Sequence, residues 1–114
     1  MAENRKEELF LQADTLLFKN KEFDKAEAVY RQIIGIDSRS IDAWNSLAYC
    51  LKFKSPQVDD KLFQALIEIY ETALVLDATD VEANFNTGLL YLQFTEETST
   101  ALQHFQACVD RDDE

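Results

Sequence analysis

The fold of this chain is indicated most clearly by residues 44–51, whose sequence is WNSLAYCL. Four of these side chains follow the spacing i, i+3, i+4 and i+7, which places them on one face of an amphipathic helix: Trp44, Leu47, Ala48 and Leu51. The same places are filled earlier in the chain by Phe10, Ala13, Asp14 and Leu17, and later by Asn84, Thr87, Gly88 and Tyr91. The chain therefore contains three copies of one helical pattern.

A second helix follows the first in each copy. It carries a small or aliphatic side chain four residues before an aromatic one, and another apolar residue three places later: Ala26, Tyr30 and Ile33; Leu66, Tyr70 and Ala73; Ala101, Phe105 and Cys108. Polar residues then begin a turn in Ile36-Asp37-Ser38, Leu76-Asp77-Ala78 and Arg111-Asp112-Asp113. The periodicity predicts six helices, over residues 4–19, 23–36, 41–53, 60–76, 81–94 and 98–110.

Several predicted helix starts carry residues suited to an N-cap. Ser40 or Asp37 can cap the third helix, and Thr79 and Glu82 have the spacing of a capping box at the fifth. The acidic pair Asp59-Asp60 falls at the start of the fourth helix, where negative charge suits the helix dipole.

These motifs resemble the tetratricopeptide repeat (TPR), whose signature runs W-x2-L-G-x2-Y, then A-x3-F, then a closing P. The resemblance covers nearly the whole chain and implies an all-α fold, a right-handed α-solenoid of three helix-turn-helix hairpins. It also implies one domain over residues 1–114, with repeats at about residues 7–40, 41–80 and 81–113. The sequence departs from the family at Asp14, where a small residue is usual, at Leu66, which replaces an alanine, and in lacking the closing proline.

Close packing within each hairpin explains the residue types of the motif. A small residue at the eighth place, Ala48 or Gly88, lets the first helix lie close to the small residue of the second helix, while aromatic rings fill the space beside them. We therefore expect a bulky side chain at Gly88 to destabilise the third hairpin.

The middle copy carries an insertion between its two helices, Lys54 to Asp59. Pro56 cannot continue the first helix of this copy, so the segment is expected to loop out at the turn. It is either a tolerated surface insertion or a contact loop with a role of its own.

The composition disfavours several classes of partner. The chain carries a formal charge of −11, and this field repels nucleic acid and anionic lipid, so we expect neither as a partner. A solvated acidic face and a site for a basic partner both remain open. The N-terminal residues lack the apolar core of a signal peptide and no stretch is long and apolar enough to span a membrane, which predicts an intracellular, cytoplasmic protein.

Residues that could support catalysis or bind a metal are few. His104 and Cys108 share one helical face, but no third group orients the imidazole, so a core cysteine beside a surface histidine explains the pair better than a catalytic pair does. Cys50 and Cys108 lie among apolar neighbours, as small buried hydrophobes do. We therefore predict no enzyme activity, no catalytic residues, no cofactor and no metal.

The resemblance implies a binding site instead, on the inner face lined by the first helix of each copy. Carrying over the family's positions gives a partner-binding groove of Leu11, Thr15, Phe18, Asn45, Tyr49, Lys52, Phe53, Phe85, Asn86 and Leu89, with an acidic rim of Glu8, Asp42 and Glu82. Packing within a copy does not account for the apolar members of this face, so we expect five of them to be part-exposed: Phe18, Tyr49, Phe53, Phe85 and Leu89. Asn45 and Asn86 are expected to be amides that meet a bound backbone. The alternative is that the N-terminal tail of the chain, or a neighbouring copy, covers this face.

Some family members bind a free C-terminal carboxylate with a clamp of Lys, Asn, Asn, Lys and Arg. The corresponding positions here are occupied by Leu11, Thr15, Ser46, Glu82 and Asn86. The clamp is missing, so a carboxylate tail is not the expected ligand. Because Glu8, Asp42 and Glu82 hold the second position of the three copies, the groove is expected to tolerate or favour a basic segment instead.

Two functions follow from the sequence. The leading one is a protein-protein interaction adaptor that binds a peptide or helical segment of a partner in the concave groove. The alternative is a structural self-assembling segment, or a fragment of a longer TPR scaffold, that forms a homo-oligomer through an uncapped C-terminal end. Leu90, Leu102 and Val109 are the residues expected to be left bare at that end.

Overall fold

The computed structural model describes residues 2–112, and the side chains of residues 4–111. It consists of α1 (Ala2–Asp14), a π-helical turn (Thr15–Lys19), α2 (Phe23–Ile36), α3 (Ile41–Lys54), α4 (Asp60–Leu76), α5 (Val81–Phe94) and α6 (Thr98–Asp112), with no strand in that range. The predicted all-α fold class is confirmed, and every predicted helix is present close to its expected ends. Three residues lie outside the described part of the chain: Met1, Asp113 and Glu114. Met1 begins the predicted domain, Asp113 ends the last predicted repeat, and Glu114 ends the domain.

The chain forms two compact units, Met1–Val58 and Asp59–Glu114, here called the N-terminal unit and the C-terminal unit. In the N-terminal unit α2 packs against α1 and α3, and in the C-terminal unit α5 packs against α4 and α6. The boundary falls inside the Lys54–Asp59 insertion, which separates the two helices of the middle predicted copy. The single domain over residues 1–114 and its repeat limits stay predictions.

The core of the N-terminal unit is built from the residues that the repeat pattern selected. Ala26, Tyr30, Ile33, Leu47 and Ala48 are all fully buried. The hydroxyl of Tyr30 donates a hydrogen bond to Asp14 Oδ1 at 2.7 Å, so this buried phenol has a partner. Burial and the neighbouring Asp14 carboxylate raise the pKa of Tyr30 well above its usual value.

The core of the C-terminal unit follows the same plan. It contains Leu66, Tyr70, Ala73, Ala83, Gly88, Leu90 and Ala101, all buried. The prediction that Leu90 is left bare is therefore wrong, because its side chain lies in this core. Leu102 and Val109 on α6 are exposed, as expected.

The two inter-helix turns that end at α3 and α5 are closed in the same way. The indole N–H of Trp44 donates to the carbonyl of Ser38 at 2.9 Å. At the equivalent place in the next copy, the amide of Asn84 donates to the carbonyl of Ala78 at 3.0 Å. Different side chains therefore satisfy the backbone carbonyl at the same place in the two turns.

Side-chain caps begin three of the helices. The backbone N–H of the third helical residue is accepted by Ser40 at α3, by Asp59 at α4 and by Asp80 at α5. Ser40 was one of the two caps predicted for α3. The capping box of Thr79 and Glu82 is wrong, since Asp80 is the N-cap of α5 and Thr79 bonds to Asp77 instead.

No helix among residues 2–112 is both long enough and apolar enough to cross a bilayer.

Candidate functional site

An aromatic cluster lies on the surface of the N-terminal unit and consists of Phe18, Tyr49 and Phe53. The rings of Tyr49 and Phe53 stack with centroids 4.3 Å apart and planes inclined by 28°. The ring of Phe18 meets Tyr49 at 5.6 Å in a tilted arrangement. Phe18 is 56% exposed and Phe53 53% exposed, so the cluster is ordered by its own contacts and still accessible to a partner.

Tyr49 and Phe53 reach the cluster because they are one helical turn apart on α3, which places them on one face. Phe18 reaches it from the π-helical turn, where the backbone N–H of Asn20 bonds to the carbonyl of Thr15 at 3.1 Å. The sequence predicted a regular helix through residue 19, so the wider turn is a departure from the expectation. π-Helical turns of this kind are frequent at functional sites.

Asp14 immediately precedes the wider turn. This carboxylate stands where Ala48 and Gly88 are buried in the other copies, yet Asp14 itself is exposed and bonded to Tyr30. Ala13 and Leu17 on either side stay buried. A carboxylate is costly to bury without a paired charge, and Asp14 keeps its carboxylate at the surface.

The predicted groove residues around the cluster are accessible in the N-terminal unit. Leu11 and Thr15 are exposed, and Lys52 is half-buried with its ammonium group 5.9 Å from the centroid of the Phe53 ring. The predicted rim residues Glu8 and Asp42 are also exposed. The surface therefore combines aromatic rings with charges of both signs.

Asn45 corrects one part of the prediction. Its side chain is 1% exposed, so its amide cannot meet a partner's backbone as the sequence suggested. Leu11 holds the same place in the first copy and Phe85 in the third, and both are exposed. Equivalent places in the repeat therefore differ in exposure, because exposure depends on what packs against each helix.

The C-terminal unit presents its own set of predicted residues on α5. Phe85 is 48% exposed and its ring lies 5.9 Å from that of Phe105 in a tilted contact. Asn86 and Leu89 are half-buried, and Glu82 is exposed at the start of the helix. These four residues lie on one face of α5, because they are spaced i, i+3, i+4 and i+7 along that helix.

The sequence did not identify Asn84 as a polar link in the C-terminal unit. Its amide N–H groups donate to backbone carbonyls, so its Oδ1 accepts a hydrogen bond from His104 Nδ1 at 2.9 Å. The imidazole also stacks on Tyr91, with centroids 6.2 Å apart, and burial lowers the pKa of His104. The sequence did offer one signal for this link, since Asn84 is a polar residue at the place that Phe10 and Trp44 occupy in the other copies.

Each of the two cysteine thiols contacts a backbone carbonyl. The Cys50 thiol is buried and donates to the carbonyl of Phe23 at 3.0 Å, and burial raises the pKa of Cys50 to about 11. Cys108 is half-buried and contacts the carbonyl of Val81 at 3.5 Å, while His104 is oriented by Asn84. Within the described residues no group of three or more side chains is placed to bind a metal ion.

The insertion forms one wall of an open cleft of about 560 Å³ in the N-terminal unit. The opposite wall is the start of α2, and the lining residues are Lys21, Glu22, Phe23, Asp24, Lys25, Lys54, Ser55 and Pro56. Lys54 donates to Asp24 at 3.2 Å and to Glu27 at 2.7 Å, and these bonds attach the last residue of α3, where the insertion begins, to α2.

Comparison with known proteins gives no match by sequence and a clear match by structure. No protein-family model and no curated protein match the chain. SycD, the type III secretion translocator chaperone of Yersinia enterocolitica, superposes with a TM-score of 0.75 at 17% identity, over 91% of this chain and 73% of SycD. PcrH, solved in complex with the chaperone binding region of PopD, gives 0.75 at 15% identity, over 94% and 74%.

Both of these neighbours are chaperones with TPR-like helical folds. This chain has the same fold. At such low identity the likeness establishes the fold alone, and the TPR-like helical character predicted from the repeat motifs is confirmed at that level.

Proposed function

We propose that this chain is a non-enzymatic adaptor of the TPR kind, which binds a segment of another protein through the exposed faces of the first helices of its copies. The observation that carries the proposal is the cluster of Phe18, Tyr49 and Phe53. Three aromatic rings held together by mutual contact, two of them more than half exposed, are unusual on a monomer unless they meet a partner. Because the rings already contact one another, binding orders them at little entropic cost.

The structural comparisons support this class of function. The structure of PcrH contains a segment of a second protein, the chaperone binding region of PopD, so a protein with this fold accepts such a segment. The identity of the partner does not transfer at 15% sequence identity. A cytoplasmic location, which the sequence predicted, is part of the same proposal.

The bound segment is an internal stretch of its protein rather than a free C-terminus. A carboxylate tail needs several cationic or amide donors that converge on it. The five clamp positions hold Leu11, Thr15, Ser46, Glu82 and Asn86, none of which is cationic. The exposed rings instead favour aliphatic or aromatic side chains on the segment.

A selection from a library of short random peptides, displayed on phage, tests the proposal with the full chain as bait. We expect enriched peptides rich in Leu, Ile, Phe and Trp, with Phe53→Ala weakening their binding about tenfold in fluorescence anisotropy. Ile36→Ala is the matched control, because Ile36 is another part-exposed apolar residue of the same unit but lies at the end of α2. It should leave binding unchanged.

Two outcomes would count against the aromatic cluster as the site. One is equal loss of binding in Phe53→Ala and Ile36→Ala. The other is binding that survives Phe53→Ala and Tyr49→Ala but collapses when residues 54–59 are changed, which would move the site to the insertion and its cleft.

Self-association is the second candidate function, and the exposure of Leu102 and Val109 on α6 favours it. If it operates, replacing both residues with serine should shift the chain from oligomer to monomer in size-exclusion chromatography with light scattering. Both side chains are exposed, so the free energy of unfolding should change by less than about 0.5 kcal/mol. A wild-type chain that is already monomeric at high concentration would leave the adaptor as the better proposal.

A further inference from the structure

We infer that the partner segment carries lysine or arginine residues beside its apolar ones, and that these cations meet the C-terminal unit at the exposed face of α5. This inference rests on the proposed function and adds the chemistry of the partner to it. It is drawn from the distribution of charge between the two units and from the apolar stripe that α5 exposes.

The whole negative charge of the protein belongs to the C-terminal unit. Residues 1–58 contain nine acidic and nine basic side chains, so the N-terminal unit is formally neutral. Residues 59–114 contain thirteen acidic side chains and only Lys61 and Arg111 as cations, which gives −11. Arg111 already donates to Asp77 at 3.1 Å, so it partly neutralises that carboxylate rather than standing apart as a cation.

The face of α5 lies in this negative field. Phe85, Leu89 and Leu92 follow the spacing i, i+4 and i+7, and the first and last of them are about half exposed. Glu82 is exposed one turn before Phe85, and Glu96 and Glu97 are exposed just after the end of the helix. The stripe therefore has carboxylates beyond both of its ends.

These features define one kind of occupant. The stripe gains free energy by burying aliphatic or aromatic side chains, at about 25 cal/mol per Å² of apolar surface. A segment with acidic side chains would bring like charges together over a unit that has almost no cations. A segment with Lys or Arg next to its apolar residues is attracted instead, and the long stems of those side chains can cover further apolar surface. Charge complementarity therefore selects a basic amphipathic protein segment.

The peptide library described above provides the test when it is selected in parallel against three full-length chains. In Glu96→Lys/Glu97→Lys two exposed carboxylates of the C-terminal unit are reversed. In Glu7→Lys/Asp24→Lys two exposed carboxylates of the N-terminal unit are reversed, and Asp24, like Glu97, stands at the start of a helix. Asp24 also accepts a hydrogen bond from Lys54 at 3.2 Å, but Lys54 keeps its shorter bond to Glu27 at 2.7 Å in this variant. Both variants change the net charge by the same amount, and circular dichroism should show that both keep the wild-type helix content.

We expect peptides selected by the wild type to contain at least about twice the library's fraction of Lys and Arg, since complementary charge steers and selects partners. That enrichment should disappear with Glu96→Lys/Glu97→Lys and persist with Glu7→Lys/Asp24→Lys. Binding of the selected peptides should also weaken as salt rises through about 0.3 M, where the Debye length is only several Å.

Each other result has a definite meaning. Apolar enrichment without Lys or Arg would overturn this inference and leave the proposed function in place. Equal loss of the basic enrichment in both variants would overturn the assignment to the C-terminal unit, because the effect would then follow net charge alone. No enrichment of any residue type would count against the proposed function itself.

Discussion

Gly88→Leu is expected to lower the free energy of unfolding by about 2–3 kcal/mol, the upper part of the range for overpacking a helix contact. A Cβ atom at Gly88 would lie 2.6 Å from Cε1 and 2.9 Å from Cδ1 of Phe105, closer than carbon atoms can approach. The Phe105 ring could relieve the overlap only by moving, and it already packs near Phe85. The added side chain therefore strains the contact between α5 and α6.

Gly35 supplies a matched control for this substitution. It also lies inside a helix, α2, but a Cβ atom there would meet nothing within 4 Å. Gly35→Leu should therefore leave stability unchanged or raise it by up to about 1 kcal/mol, since leucine favours the helix more than glycine does. Thermal melts of both variants, followed by circular dichroism, give the comparison, with the Gly88 variant expected to melt roughly 5–15 °C lower.

A Gly88→Leu chain that melts with the wild type would show that α5 and α6 do not approach at this point. Phe105→Leu combined with Gly88→Ala adds a second check. The smaller, flexible leucine makes room for the new methyl group, so the pair should cost less than the sum of the two single changes.

The helices of this chain could be predicted from the sequence because their signals are local. The face formed by Trp44, Leu47 and Ala48 needs only the helical period to be recognised, and its repetition identifies the equivalent faces elsewhere. The contact of Gly88 with the second helix was also predictable, because close helix approach requires a small residue there. Most of the helix ends agree with the prediction to the residue, although the N-cap of α5 was misassigned.

The candidate binding residues were harder to predict because their exposure is decided by packing between elements. The fifth place of the repeat holds Leu11, Asn45 and Phe85, and only Asn45 is buried. Sequence alone also placed Phe18 on a regular helix, whereas a π-helical turn presents it to Tyr49. The turn follows Asp14, whose departure from the family pattern was visible in the sequence, but the change of helix type after it was not.

The net charge of the protein can be read from the sequence, whereas its distribution between the two units depends on the fold. The net value of −11 follows from composition, and it suggested a basic partner in general terms. The division into two units shows that the N-terminal aromatic cluster belongs to a neutral unit, while the α5 stripe belongs to the acidic one. The two surfaces therefore differ in chemistry, because aromatic rings are exposed on the neutral unit and an apolar stripe with nearby carboxylates is exposed on the acidic unit.

Tyr49→Ala is expected to weaken binding of a selected peptide by about 30-fold or more, which corresponds to about 2 kcal/mol. Tyr49 is the ring that contacts both Phe18 and Phe53, so its removal deletes two aromatic contacts and opens a gap at the centre of the cluster. Phe18 and Phe53 would then lose the ring that they pack against, and with it their orientation. Phe85→Ala should have a comparable effect on peptides that bind the face of α5, and isothermal titration calorimetry measures both losses.

Tyr49→Phe separates the ring from its hydroxyl and controls for the fold. It keeps the stacked contact at 4.3 Å, so binding should stay within about threefold of the wild type if the ring provides the affinity. Tyr49 is half-buried, so urea denaturation should show that the alanine variant remains folded at the protein concentrations used for binding. A folded Tyr49→Ala chain with wild-type affinity would exclude the aromatic cluster as the binding site. Equal losses in the alanine and phenylalanine variants would assign the affinity to the hydroxyl group rather than to the ring.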